Sequence, residues 1–275
     1  MKKLMPRVAA INDISSVGKC SLMIAVPILS SMEIEVVPLV TAVLSAHTGF
    51  ENPVIVDLGS YLPKMIEHIE SLDVKFDCIF SGYLSSVSQM ETVKNFMKKE
   101  KENGTLCLVD PVLGDEGVLY AGFNETSVEK MKELASVSDI LTPNYTEACF
   151  LADVKYGVTD ENSLEKLVKK LYETLNLSKV VITGVPLEND KKCILVAENK
   201  DDFKIIYCDY VEGFFCGTGD AFASVICGET VKNKSLYEAS KKAHEFVKYA
   251  IDDTYKMGGT WEQGIALEKF LDRLK

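Results

Sequence analysis

The chain has 275 residues, 47% apolar and 26% charged, and its 30 Lys plus Arg against 41 Asp plus Glu give a formal net charge of −11. This composition excludes disorder and supplies enough apolar surface for a full core. The acidic balance opposes nucleic acid and anionic membrane, so an anionic ligand has to be captured locally by backbone amides, a metal ion or a few placed cations.

The N-terminal MKKLMPR mimics the basic start of a signal peptide, but the apolar stretch after it, VAAI, ends at Asn12 and Asp13. No run approaches the ~18 residues of a spanning helix. The eight cysteines lie at least eight residues apart, which rules out a CxxC motif. Free thiols within apolar runs (Cys78 in DCIF, Cys107 in TLCLVD) fit a reducing compartment. The expectation is a soluble cytoplasmic protein with neither nucleic-acid nor membrane partners.

Strands are expected at 7–12, 35–39, 76–82, 105–110, 138–142 and 179–184, where short β-branched runs recur. Between them, 63–72, 87–103 and 163–175 space apolar residues three and four apart, as helices do. Alternation of this kind implies a mostly parallel sheet covered on both faces, a three-layer α/β/α sandwich. After Gly184 the pattern changes: 193–199 and 203–210 read as an antiparallel hairpin at the sheet edge, followed by helices over about 217–229 and 235–254. Without a Pro-, Gly- or Ser-rich linker or a repeat, residues 1–275 form one expected domain.

Ligands bind beyond the carboxyl ends of strands in such sheets. The exits here are polar or Gly-bearing: Asn12-Asp13, Ser81-Gly82-Tyr83, Asp110-Pro111, Thr142-Pro143-Asn144 and Thr183-Gly184. Parallel strands would gather all five on one rim.

CGTGDAF (216–222) enters a helix through two glycines. Gly217 and Gly219 permit a tight turn whose free amides point at an anion, and Asp220 falls in the first helical turn. Simple helix capping explains the same residues. The functional alternative has the amides hold a migrating phosphoryl group while Asp220 takes the proton of the attacking hydroxyl. The helix dipole would keep Asp220 ionised and hence weakly basic, which phosphoryl transfer tolerates. DISSVGKC (13–20) fails as a P-loop, because Asp13 stands in place of the first glycine and Cys20 in place of the metal-binding hydroxyl. GxGxxG does not follow the first strand, so a dinucleotide site is unsupported. DPVLGDEGVLY (110–120) has the make-up of a lid or of an ordinary turn. In TPNYTEACFL (142–151), Asn144 and Glu147 are three apart at a strand exit, placed to orient a hydrated Mg²⁺ or simply to cap a helix. Trp261 in MGGTWEQG either helps close the nucleotide pocket or caps the C-terminal helix, the cap being preferred, and the Lys-rich patches read as solvated faces.

Taken together, AHTGF (46–50), SGY (81–83), DPVLGD (110–115), TPNxxEA (142–148), VITG (181–184) and FFCGTGDAFA (214–223) resemble the pyridoxal kinase family, in the vitamin-kinase branch of the ribokinase-like superfamily. The resemblance spans Arg7 to about residue 255. It implies ATP-dependent phosphorylation of a B6 vitamer's 5′-hydroxymethyl group, with Asp220 as base and the Gly217, Thr218 and Gly219 turn as anion hole. Asp110 and Glu147 would manage Mg²⁺ and the phosphates, and Asn144 and Thr183 would contact the phosphate chain. Asp13, Thr48 and Tyr83 would surround the vitamin ring, flanked by His47. Val211, Phe214 and Phe215 would border the adenine, and Gly114, Asp115, Gly117 and Tyr120 would belong to a water-excluding lid. A homodimer, and a monovalent cation such as K⁺, belong to the same implication.

The first loop departs from the pattern. Asn12-Asp13 stands where pyridoxal kinases carry a Ser-His pair in a longer loop, and an acid there is similar to hydroxymethylpyrimidine kinases. Those enzymes usually carry Cys in place of the catalytic acid, and Cys216, four residues before Asp220, is not that cysteine. Hydroxymethylpyrimidine kinase, or a dual-substrate kinase, is therefore the alternative enzyme. A non-catalytic vitamin or nucleotide sensor is the alternative of another class.

Overall fold

A computed structural model describes residues 3–157, 159–188, 191–209, 213 and 215–275. The chain runs β1 (Arg7–Ser15), α1 (Leu22–Ser31), β2 (Glu35–Leu44), β3 (Ile55–Asp57), α2 (Leu62–Ser71), β4 (Cys78–Ser81), α3 (Val87–Lys101) and β5 (Leu106–Val109). It continues through β6 (Gly114–Asp115), β7 (Val118–Leu119), α4 (Glu125–Ala135), β8 (Ile140–Leu141), α5 (Tyr145–Ala152) and α6 (Glu161–Leu175). The last elements are β9 (Lys179–Pro186), β10 (Lys192–Ala197), β11 (Phe203–Cys208), α7 (Thr218–Val231) and α8 (Leu236–Lys256), followed by short 3₁₀ turns to the C-terminus.

Nine strands form one sheet in the order β11-β10-β9-β8-β5-β4-β1-β2-β3. Every pairing from β9 across to β2 is parallel. The β10–β11 hairpin closes one edge antiparallel, as expected, and β3 closes the other.

Burial alternates along the strands, as the two-residue period requires. In β4, Ile79 joins the core beneath α2–α6, whereas Cys78 and Phe80 join the core beneath α1, α7 and α8. In β5, Cys107 and Val109 face one way and Leu108 the other. Both faces are covered, which makes three layers.

The structure adds elements that periodicity does not show. Helix α1, LMIAVPILSS, is apolar nearly all round, contains Pro27 and buries five of its residues, so it lacks the polar face that marks a helix in sequence. Helix α4 begins at an Asn124 capping box, a signal present in NETS but outweighed by the lid composition before it. Strand β3 is three exposed residues long, and the β6–β7 hairpin has two residues per strand.

Candidate active site

The five polar strand exits lie side by side on one rim, in the order β9, β8, β5, β4, β1. Backbone hydrogen bonds continue past the strands and stitch them together. Thr183 N donates to Pro143 O at 3.0 Å, Thr142 N to Val109 O at 3.0 Å, Asp110 N to Ser81 O at 2.8 Å and Gly82 N to Ile11 O at 2.9 Å. The rim is therefore rigid. Rigid elements hold reacting groups more accurately than free loops do.

Helix α7 aims its first turn at this rim. Its N-cap is Gly217, at φ 82°, a conformation that favours glycine. A β-carbon there would also sit 2.3 Å from the Lys19 carbonyl, so the turn packs directly on the loop after β1. Among the described residues, the N–H groups of Thr218, Gly219 and Asp220 lack intrahelical partners, as at any helix start. Together with the dipole they form an anion site.

Asp220 lies partly exposed in that turn. Burial pushes its carboxyl up to about 6, opposed by the backbone N–H of Ser21; Asp13 adds to the rise and Asn12 opposes it. Burial thus acts against the helix dipole here and raises the carboxyl above the ordinary carboxylate range.

Two further carboxyls, Asp110 and Glu147, lie just past the β5 and β8 exits. Asp110, 7% exposed, accepts a 3.2 Å hydrogen bond from Thr142 Oγ1. Glu147, 4% exposed, accepts from Leu113 N at 3.0 Å and from Asn144 N at 2.8 Å. Burial raises both carboxyls, and charge repulsion from Asp220 on Asp110, and from Asp110 on Glu147, raises them further. Asn144 and Glu147 form the capping box of α5, and the Asn144 amide also donates to Gly114 O at 2.8 Å. The capping alternative therefore holds for this pair, and the acid is buried rather than solvated. Thr183 bridges Asn144 on the neighbouring strand.

The segment expected to form a lid folds as the β6–β7 hairpin. Glu116 and Gly117 form its turn at φ 49° and 83°, and Gly117 N donates to Thr146 Oγ1 at 2.9 Å. Asp115 lies in β6, and Tyr120 follows β7 with its hydroxyl pushed up by burial and by Glu147, Asp115, Cys216 and Asp110.

Near the end of β1, Asp13 is 4% exposed and raised by burial, with the Ser21 and Ser15 hydroxyls opposing. Tyr83 is half-buried, stands edge-on to Phe123 at 6.0 Å and is pushed up by burial and by Asp13. His47 is buried, and both of its ring nitrogens are engaged: Nε2 donates to Glu262 O at 2.9 Å and Nδ1 accepts from Gly49 N at 3.1 Å. Thr48 sits exposed on the same turn. Phe215 is 3% exposed and belongs to the core beneath α1, α7 and α8. Val211 and Phe214 lie outside the described residues.

Several neighbours escape sequence reasoning. Ser21 is held at φ 54°, ψ −128°, a strained backbone for a serine, and does not cap α1. Cys20 and Cys216 face one another from the two loops that meet at Gly217. Trp261 stands tilted 5.8 Å from His47 and lies against Gly49. The notable signal was the Ser21 position itself, a serine just before an apolar run.

Residues 32–264 match the phosphomethylpyrimidine kinase family. The chain is 30% identical over 245 residues to pyridoxal kinase of Arabidopsis thaliana, covering 82% of this chain and 75% of the relative. It is similar to a Bacteroides thetaiotaomicron protein designated a phosphomethylpyrimidine kinase and crystallised with pyridoxal, at 35% identity, TM-score 0.93, and 98% and 96% coverage of the two chains. Pyridoxal kinase from Lactobacillus plantarum superposes at TM-score 0.89 with 31% identity, covering 99% and 97%. The chain belongs to this phosphomethylpyrimidine kinase family of ribokinase-like phosphotransferases, on the branch that contains the pyridoxal kinases.

Proposed function

We propose that this chain transfers the terminal phosphoryl group of ATP to the 5′-hydroxymethyl group of pyridoxal, pyridoxine or pyridoxamine. The observation that carries the reading is Asp220, a carboxyl raised to about 6 in a helix turn of unbonded amides facing the polar rim. The acceptor hydroxyl sits beside Asp220, which takes its proton as the new O–P bond forms and the bond to ADP breaks. The N–H groups of Gly217, Thr218, Gly219 and Asp220 hold the equatorial oxygens of the group in transit. Tyr83 supplies a flat face for the ring, with Asp13, Thr48 and His47 around its edge. The β6–β7 lid keeps water from competing with the alcohol.

Asp110 and Glu147 fit a magnesium site. They are hard oxygen donors, buried beside one another, and their mutual repulsion is relieved by a cation. Among the described residues no cluster of three or more His, Cys, Asp or Glu side chains could hold a metal by itself, which accords with a cation shared with substrate phosphates. When bound, Mg²⁺ neutralises phosphate charge. Asn144 and Thr183 flank the phosphates, and K⁺ is the monovalent ion to test.

A homodimer is supported by the exposed apolar strip of Val43, Val54, Ile55, Val56 and Tyr61 around the β3 edge. Eight free thiols support a reducing, cytoplasmic setting, and residues 1–275 act as a single kinase domain in this reading. Among the described residues no helix is long and apolar enough to cross a membrane.

Asp13 favours a second reading, phosphorylation of hydroxymethylpyrimidine, because its buried carboxylate suits an amino-substituted ring. Turnover of the three B6 vitamers and hydroxymethylpyrimidine with Mg·ATP tests both. A kcat/KM ratio near one makes the enzyme dual-substrate, and inertness toward every alcohol makes it a sensor.

A further inference from the structure

On the reading that Tyr83 supplies the flat face for the acceptor ring, we propose that Thr41 is a positioning residue: with Gln89 behind it, its hydroxyl clamps the loop after β4 and so fixes where that face stands.

The chain leaving β4 crosses the end of β1 toward β2, since the sheet order there is β4-β1-β2. Segments of this kind are ordinarily the mobile parts of a fold. This one is tied at one backbone atom after another. Gly82 N donates to Ile11 O at 2.9 Å and Tyr83 N to Asn12 Oδ1 at 2.8 Å, both on β1. Tyr83 O accepts from Thr41 Oγ1, on β2, at 3.1 Å. Two residues on, Ser85 N donates to Gln89 Oε1 at 2.9 Å, and the Ser85 hydroxyl donates to Asp57. The Tyr83 ring meets Phe123 edge-on, so backbone and ring are both held.

Thr41 stands where β2 carries one residue too many. Asn12 pairs with Val40 and Ile14 with Val43, so Thr41 and Ala42 together oppose Asp13. Such a bulge turns a side chain out of its regular alternation. The side chain turned here carries a fully buried hydroxyl, which costs stability unless it is bonded. Its bond goes to a carbonyl beyond the strands, that of Tyr83. Gln89, also fully buried, spends its amide on the same clamp: Nε2 donates to Thr41 O at 3.0 Å and to Asp57 Oδ2 at 3.1 Å, while Oε1 takes Ser85 N. It therefore grips β2 at Thr41 and the loop at Ser85, and Tyr83 is held between them.

Thr41→Val keeps the branched shape and deletes only the hydroxyl. Acceptor KM is expected to rise about 3–10-fold, the worth of one ordinary hydrogen bond. kcat and the ATP KM should change by less than about twofold, because a ring face binds ground state and transition state alike. Thr41→Ser returns the hydroxyl and should restore acceptor KM whatever its melting temperature. Since Thr41 acts through Tyr83, adding Thr41→Val to Tyr83→Ala should raise acceptor KM by less than about twofold beyond Tyr83→Ala alone. Thr41→Ala serves in the same comparisons if the valine variant does not fold. Acceptor KM unmoved by loss of the hydroxyl, or raised equally by valine and serine, overturns the role, as does full additivity with Tyr83→Ala. Tyr83→Ala with the wild-type acceptor KM removes the ring face itself, and a wild-type enzyme inert toward every acceptor overturns the functional reading. An active enzyme whose KM answers to Tyr83 but not to Thr41 removes only Thr41.

Discussion

Asp13 and Asp220 are electrostatic neighbours: burial, and then the charge of Asp13, hold the Asp220 carboxyl above the ordinary carboxylate range. Asp13 itself is buried and accepts a 3.2 Å hydrogen bond from the Ser15 hydroxyl.

This coupling makes the enzyme's pH dependence specific. The Asp220 carboxyl stands at about 6 in the fold against an ordinary 3.8. The base is competent when ionised, so kcat/KM should fall roughly tenfold per pH unit below about pH 6 and level off above it. Stability runs the opposite way. The folded state binds the proton more tightly than the unfolded state, so Asp220 favours folding at low pH and loses that contribution as pH rises from about 4 through 6. Asp220→Asn should therefore raise the melting temperature more at pH 8 than at pH 5. A flat kcat/KM profile between pH 5 and 8 contradicts the assignment.

Gly217→Ala tests the anion turn. The substitution sets an L side chain at φ 82° and a β-carbon 2.3 Å from the Lys19 carbonyl. A cost of about 1–3 kcal/mol in stability is expected from the backbone alone. Displacement of the first-turn amides should lower kcat by at least about tenfold. Gly104→Ala, at φ 82° on an exposed turn with open space around it, provides the control and should affect stability only.

Asp110 and Glu147 repel one another through a buried site. Chelation of Mg²⁺ should abolish turnover, and Mg·ADP should raise the melting temperature more than ADP alone, as ligands that bind only the folded state do. Asp110→Asn should raise apo stability increasingly as pH rises from about 4 through 8, because the buried carboxyl holds its proton up to about 8, while weakening the response to Mg·ADP. An apo enzyme equally active in excess chelator contradicts this use of the two acids.

Asp13→Ser addresses ring selectivity. Removal of the buried acid should lower the preference for acceptors with an amino donor relative to pyridoxine, read as a ratio of kcat/KM values. Equal losses for all acceptors would assign Asp13 to tuning Asp220 through its charge instead.

Much of the fold was legible because the parallel strands advertise themselves. Continuous runs such as KVVITG are buried on both faces, and the shift to two adjacent runs after Gly184 marks the antiparallel edge. Helix α1 was not legible, since a helix buried nearly all round has no period to detect and Pro27 argues against it. The rim was legible as a set of polar strand exits, because strand direction decides which ends meet. What strands and spacing do not carry is contact across the chain: Trp261 against His47, Cys20 facing Cys216, and Lys19 beneath Gly217. Nor does a motif disclose electrostatic balance. Helix position alone points to a weak base, whereas the burial and the Asp13 charge that raise Asp220 come from contacts no motif encodes.

The most direct measurement is the rate of pyridoxal 5′-phosphate formation with Mg·ATP by the wild type and by Asp220→Asn, alongside pyridoxal affinity. The account predicts one ADP per product, a kcat in the variant lower by about 10²–10⁴-fold, and pyridoxal bound with little change. Wild-type turnover in the Asp220→Asn enzyme, with product confirmed, would contradict it.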